Sequence, residues 1–356
     1  MGRNNLIYGG AEMIYSRRGF IKMVGLAGAL FASQKITGCT SFRESRHEVS
    51  SIPWKCNPIL PIPKDGCYVG TNLQGNSSTI GTLFKEKFGI SPTLHAVGFG
   101  KAAATNEVFP RTWCQIAIDS GIIPTIRYAT APFMGYKPIL RGEYDDDFRE
   151  FARQVAEFGY PIVFIPFQQC NITNSRHYKW AGYPGEEYKA AMVRIHTLFG
   201  KEGANKNTIW TTKFNVGPWY NDPFEYCPPR ENIDIIGWAL HGFDRPDIGI
   251  TFRTFETLFG HFYEKAAEKY SDKPQMFWEV STHKDFKQAS WINRAFDDIK
   301  DKFPRVKGVM LDEAPFTDHG DRFGSYDPTL TEESIAVVKR HFSTDYFIGS
   351  IIKKPG

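Results

Sequence analysis

Three amide side chains, Gln168, Gln169 and Asn171, close one apolar run of this chain, and carboxylates close two others. The first run is PIVFIPFQQCN, residues 161–171. The second, QMFWEVST, carries Glu279, and the third, VKGVMLDEAP, ends in Asp312 and Glu313. A carboxyl group at such a place can attack an electrophilic carbon or carry a proton. An amide can do neither, because it only donates and accepts hydrogen bonds. Around these residues stand Arg127 and Tyr128 at the end of IIPTIRY, Trp180 and Tyr183 beyond the first run, Trp219 and Tyr220, and Trp238 and His241 in IDIIGWALHG. Aromatic faces with amides and a guanidinium suit a sugar, which offers an apolar C–H face and a rim of hydroxyls. Singly, each ring reads equally well as core and each polar group as a loop residue; their common place at strand ends favours a site.

The elements that must position them alternate regularly. Apolar runs at 67–71, 93–98, 122–128, 161–171, 208–213, 233–240, 275–280 and 306–312 read as eight strands buried on both faces. Helical patterns follow at 79–88, 109–120, 146–158, 185–200, 252–270, 289–303 and 332–342, while the fifth connection is irregular and Pro-rich. Eight strands separated by helices with no change of composition predict a single α/β domain, a (β/α)8 TIM barrel over residues 66–345, with chemistry at the C-terminal strand ends. An open doubly wound sheet is the alternative, but no Gly-rich phosphate turn follows the first strand. Residues 39–65 read as a Pro-rich tether and 346–356 as a C-terminal tail.

The first 38 residues read as an address. Ser16-Arg17-Arg18-Gly19-Phe20-Ile21-Lys22 resembles the bacterial twin-arginine export signal, and a Gly/Ala-rich segment too short to span a bilayer follows from Met23 to Ala32. Met13 is a candidate start, since the residues before it add nothing to the motif. Ile36-Thr37-Gly38-Cys39 looks like a lipobox, which makes Cys39 the lipidated first residue of a membrane-anchored periplasmic or cell-surface protein. Thr40 after it, in place of Asp, favours the outer membrane by the same resemblance.

This segment holds Arg3, Arg17, Arg18, Lys22 and Lys35 against Glu12, which accounts for the whole net charge of +4. The remainder is neutral, so no electrostatic case for nucleic acid survives. Cys56, Cys67, Cys114, Cys170 and Cys227 follow Cys39. Their odd number, and folding in a reducing cytoplasm before export, argue against core disulfides. No metal-ligand spacing occurs, and neither metal nor cofactor is expected.

The chain resembles glycoside hydrolase family 26, the β-mannanase family of the retaining (β/α)8 glycosidases, over roughly residues 66–316. The resemblance rests on Gly142-Glu143-Tyr144-Asp145, on the fourth strand with its Trp180 loop, on Asp234-Ile235-Ile236-Gly237, and on Lys273-Pro274 leading to Glu279. In that family the fourth strand ends His-Glu-Met-Asn-Gly, whose Glu is the acid/base, and the seventh-strand Glu is the nucleophile. By resemblance Glu279 becomes the nucleophile, while Gln169 stands at the acid/base position and Gln168 at that of the His. The family's sixth-strand Tyr has no clear counterpart; Leu240 and His241 occupy that region.

A retaining mechanism needs two carboxyl groups about 5–5.5 Å apart, so the missing acid leaves three readings. The leading one is a glycosidase whose proton donor has moved to Glu313 or Asp312, or to the more distant Glu143. The others are a catalytically silent barrel that binds a β-linked polysaccharide, and a lipoprotein that serves another protein. Expected substrate-binding residues are Gln168, Asn171, Arg127, Trp180, Tyr183, Trp219, Trp238 and His241.

Overall fold

The computed structural model describes residues 60–72, 77–99, 108–128, 135–173, 178–218, 220–242, 253–284, 287–312 and 327–351. Arg17, Arg18, Cys39, Cys56, Trp219 and Glu313 lie outside them.

The strands are β1 (Cys67–Thr71), β2 (Leu94–Phe99), β3 (Ile123–Tyr128), β4 (Ile162–Pro166), β5 (Thr208–Trp210), β6 (Phe214–Asn215), β7 (Ile236–Gly242), β8 (Gln275–Thr282), β9 (Val306–Leu311) and β10 (Phe347–Ile348). All pairings are parallel, in the order β5-β4-β3-β2-β1-β9-β8-β7-β6. Since β5 and β6 are successive pieces of one strand, and Thr211 between them bridges Ile235, the sheet closes on itself. The result is a (β/α)8 barrel whose fifth strand is interrupted. The helices around it are α1 (Ser77–Phe88), α2 (Arg111–Asp119), α3 (Lys137–Leu140), α4 (Asp145–Phe158), α5 (Gly185–Lys201), α6 (Phe255–Lys269), α7 (Gln288–Asp301) and α8 (Glu332–Phe342).

Alternation along the strands builds two cores. Tyr68, Leu94, Ile123, Val163, Ile209, Met276, Trp278 and Met310 fill the barrel interior. Residues of opposite parity, such as Val69, Ile126, Phe164, Trp210 and Val309, meet the helices in the larger core. Helix α4 shows how the outer layer forms. Asp145, Asp146 and Asp147 occupy its positive first turn, Phe148, Phe151, Ala152, Val155 and Phe158 form its buried stripe, and Gly159 ends it at φ 75°.

Two motifs of the resemblance serve this scaffold. Asp145 accepts two hydrogen bonds from Arg194 on α5, at 2.8 and 2.7 Å, and Asp234 accepts the Trp210 N–H at 2.8 Å. Gly237 leaves room for the Trp278 indole inside the barrel, where any Cβ would collide with it and with the Thr212 carbonyl.

The two ends of the chain correct the expectation. Leu60 and Ile62, placed in the tether, are buried in the inner core with Ile348. The segment read as a tail supplies β10, which pairs with β1, and Thr93 Oγ1 donates to the Ile348 and Gly349 carbonyls at 3.0 and 2.8 Å. Apolar side chains on both segments close the barrel floor.

Candidate active site

At the mouth, the inner-face parity turns polar. Ile123 and Thr125 lead to Arg127 on β3, Ile209 and Thr211 to Lys213 after β5, and Ala239 to His241 on β7. Met310 leads to Asp312 just past β9. On β8 simple alternation would turn Glu279 outward, because Trp278 already faces the interior. The β7–β8 register shifts between Trp238 and Ala239, pairing Trp238 with Phe277 and Ala239 with Glu279. This bulge lets consecutive residues Trp278 and Glu279 both face inward while Val280 returns to the outer core.

Glu279 is buried and surrounded by donors. Lys213 Nζ forms an ion pair with Glu279 Oε2, and the Gln169 amide donates to the same oxygen at 3.1 Å. Lys213 Nζ also donates to Gln168 Oε1 at 3.2 Å. Asp312 hydrogen-bonds Glu279 from the neighbouring strand. Burial alone would push the Glu279 carboxyl up. Lys213, then His241, the Asp312 bond and Arg127 outweigh it and hold the group well below the usual carboxylate range. Burial, then the adjacent Glu279 carboxylate, raise Asp312 well above its ordinary value, so Asp312 keeps its proton and donates it. Burial pulls Lys213 below the ordinary lysine value, and the Glu279 charge opposes that.

The chain leaving β4 bends sharply to deliver the amides. Phe167 and Gln169 have φ of 54° and 59°, a left-handed conformation costing a non-glycine residue about 1–2 kcal/mol. Backbone bonds hold it there: Phe167 N–H donates to the Tyr128 carbonyl at 3.0 Å and Gln169 N–H to the Lys213 carbonyl at 2.7 Å.

Of the residues expected at the site, Glu279, Gln168, Gln169, Asp312, Arg127 and His241 converge on the mouth. His241 Nδ1 lies 2.8 Å from Ser281 Oγ. Others serve the scaffold. Trp238 is fully buried among Phe214, Phe224, Phe259 and Phe262, and its indole N–H donates to Gln275 Oε1 at 3.0 Å; its parity faces the helices. Trp180 is likewise buried, its indole N–H donating to the Gln168 carbonyl at 2.8 Å, so it braces the β4 turn and offers no open face. Asn171 is wholly buried as a clamp. Its amide donates to the Asn215 and Asn221 carbonyls at 2.8 and 3.0 Å, and its Oδ1 accepts the Asn215 N–H at 3.0 Å. Tyr183 is half-buried edge-on to Tyr136. Glu143 is exposed and paired with Arg141 at 2.6 Å, outside the mouth cluster.

Sequence reasoning missed Lys213. A lysine ending the inner face of Ile209 and Thr211 was the available signal, since a buried ammonium demands an acid partner. It also missed Asn72 and Asn215, whose parity places them on the inner face beyond β1 and in β6. Asn72 donates to the Trp278 carbonyl at 2.7 Å. Among the described residues, the buried Asn72 Oδ1, Asn215 Oδ1 and Arg127 Nε have no protein partner.

The arrangement decides what Glu279 can do. Three donors share its roughly four lone-pair sites. A hydrogen-bonded Asp312 stands beside Glu279 and closer than the ~5–5.5 Å that separates a nucleophile from its acid across a glycosidic bond. Gln169 is also in contact with Glu279, closing the gap a scissile bond would enter.

No protein-family model and no curated protein sequence matches the chain. Solved structures do match. A family 26 glycoside hydrolase from Muricauda sp. superposes with a TM-score of 0.55 at 15% identity, over 81% of this chain and 92% of that one. The catalytic domain of a family 26 endo-β-1,4-mannanase from Bacillus sp. JAMB-750 gives 0.58 at 15% identity, over 81% and 88%. A β-mannanase from a symbiotic protist of the termite Reticulitermes speratus, solved with a gluco-manno-oligosaccharide, gives 0.56 at 14% identity, over 82% and 91%. The chain has the family 26 glycosidase-like barrel fold.

Proposed function

We propose that this protein binds a β-linked polysaccharide without hydrolysing it, the family's catalytic pair having become a buried structural network. One observation carries this reading: the Gln169 amide, where the acid/base would stand, donates to Glu279 Oε2 at 3.1 Å while Lys213 ion-pairs with the same oxygen. A carboxylate so engaged is a weak nucleophile, and the amide has no proton to give a leaving group. General acid–base help is worth about 10²–10⁴-fold, and an unactivated glycoside needs it. Binding is supported by the barrel shared with proteins solved as mannanases, one with a gluco-manno-oligosaccharide, and by the unpartnered polar atoms of Asn72, Asn215 and Arg127 at the mouth.

The test is direct. The purified chain should be retarded in affinity gels containing β-1,4-mannan or glucomannan and should release no reducing sugar from them. Turnover that Glu279→Gln abolishes would refute the silent barrel and restore the glycosidase with a relocated donor, Glu313 being the candidate. Failure to bind any polysaccharide would favour the protein-interaction reading.

The same proposal includes export by the twin-arginine route and anchoring through lipid on Cys39, supported by Arg17-Arg18 and by Ile36-Thr37-Gly38-Cys39. Replacing both arginines by Lys should leave unprocessed precursor in the cytoplasm. Normal processing of that variant would sink the assignment.

A further inference from the structure

Among the described residues, the mouth holds a guanidinium with no ion-pair partner. Lys213 is committed to Glu279 and Gln168. Arg127 sits on the inner face of β3, close enough to influence Lys213, Glu279 and Asp312, yet it forms no ion pair among the described residues. Its Nε is shielded from solvent and meets no acceptor, although its residue as a whole is only partly buried. A charged donor left so is costly unless something else supplies the acceptor. Among the described residues, Lys213 and Arg127 both act on the Glu279 carboxylate, and Arg127 has no ion pair of its own.

Two amide oxygens at this end of the barrel have the opposite demand. The Asn72 and Asn215 Oδ1 atoms are buried acceptors without donors, and both belong to inner-face positions at the same end of the barrel. The Asn72 amide is held by the Trp278 carbonyl, and the Asn215 backbone by Asn171. A neutral sugar could donate its hydroxyls to these oxygens but would leave the guanidinium unanswered. A sugar with one anionic group could satisfy both, since a guanidinium fork matches carboxylate and sulfate oxygens.

We propose that the mouth recognises a saccharide unit carrying one negative charge, a hexuronate or a sulfate ester, with Arg127 as its anchor and the Asn72 and Asn215 amide oxygens accepting its hydroxyls. The inference rests on the carbohydrate-binding reading above and narrows its ligand class.

Three polymers on one backbone test it: β-1,4-mannan, β-1,4-mannuronan, in which C6 is a carboxylate, and sulfated β-1,4-mannan. Titration calorimetry on the wild-type chain should show one of the charged polymers binding about tenfold or more tightly than mannan, the factor one charge-assisted hydrogen bond carries. Which polymer does so separates carboxylate from sulfate. Raising NaCl from about 20 to about 300 mM should shrink that advantage. Arg127→Gln should abolish it and Arg127→Lys keep part of it, with circular dichroism verifying that each variant is folded. The wild-type comparison and its salt dependence stand even if a variant fails to fold. Equal binding of all three polymers, or an advantage that Arg127→Gln leaves intact, would overturn the acidic-sugar inference while leaving the polysaccharide reading in place. Binding to none of them would overturn both.

Discussion

Replacing Lys213 by Met removes one half of the Lys213–Glu279 pair and tests whether Glu279 belongs to the scaffold or to catalysis. The side chains are 1% and 5% exposed, so water hardly screens them. Two unit charges about 4 Å apart attract by about 4 kcal/mol at an effective dielectric constant of 20. Truncating one partner of a buried pair typically costs about 3–5 kcal/mol, because the other charge stays desolvated. Arg127 and His241 still face Glu279, and the carboxyl can take up a proton, so a loss near 3 kcal/mol is expected. With a urea m-value of about 3 kcal/mol/M, the unfolding midpoint should fall by about 1 M. Glu279→Gln should also destabilise, since it strands the Lys213 ammonium. The double variant Lys213→Met/Glu279→Gln should lie within about 1 kcal/mol of wild type, a coupling of at least ~2 kcal/mol. The opposite is expected of a carboxylate kept for chemistry, whose removal commonly stabilises an enzyme. If Lys213→Met unfolds within about 0.5 kcal/mol of wild type, or Glu279→Gln raises stability, the structural-network reading fails.

Asp312 supplies a pH test. Its pKa is raised on folding, so above about pH 3.9 the unfolded chain releases a proton that the folded chain keeps, and stability falls as pH rises through that window. Relative to Asp312→Asn, the wild type should lose stability as pH rises above about 5, by up to about 1.4 kcal/mol per pH unit, measured by urea unfolding; parallel curves would contradict the assignment. Asn171→Ala deletes three hydrogen bonds, two of them buried, and should cost about 2–3 kcal/mol, read as a lower melting temperature, whereas an unchanged melt would show the clamp to be dispensable. Gln169→Glu brings a second carboxyl into contact with Glu279, where the two must share a proton. It should release no nitrophenol from an activated aryl β-mannoside, and measurable release would show that the gap between the positions opens on binding.

Local order was plain in the chain itself. Doubly buried strands read as continuous apolar runs, such as IVFIP in β4, and helix α4 announces itself by three acids, an apolar stripe and a closing glycine. These signals act over a few residues, and their alternation suffices for a (β/α)8 barrel with its polar residues at the strand ends. The amide at position 169 was equally legible, because residue identity needs no structure.

What the sequence could not decide is which way each side chain faces and whom it meets. Trp238 and Glu279 both sit near strand ends. Trp238 turns out to the helices by its ordinary parity, whereas Glu279 turns in to the mouth because the β7–β8 register slips at a single point. The closure of the floor by Leu60, Ile62 and Ile348 joins segments from opposite ends of the chain. The pairing of Lys213 with Glu279 spans two strands that are not hydrogen-bonded to each other. Such contacts arise only when the sheet closes and forces inner-face residues of different strands into one small space, where a buried charge must find its partner. The sequence thus supplied the barrel and the amide at position 169, and closure of the barrel made Glu279 one end of an ion pair.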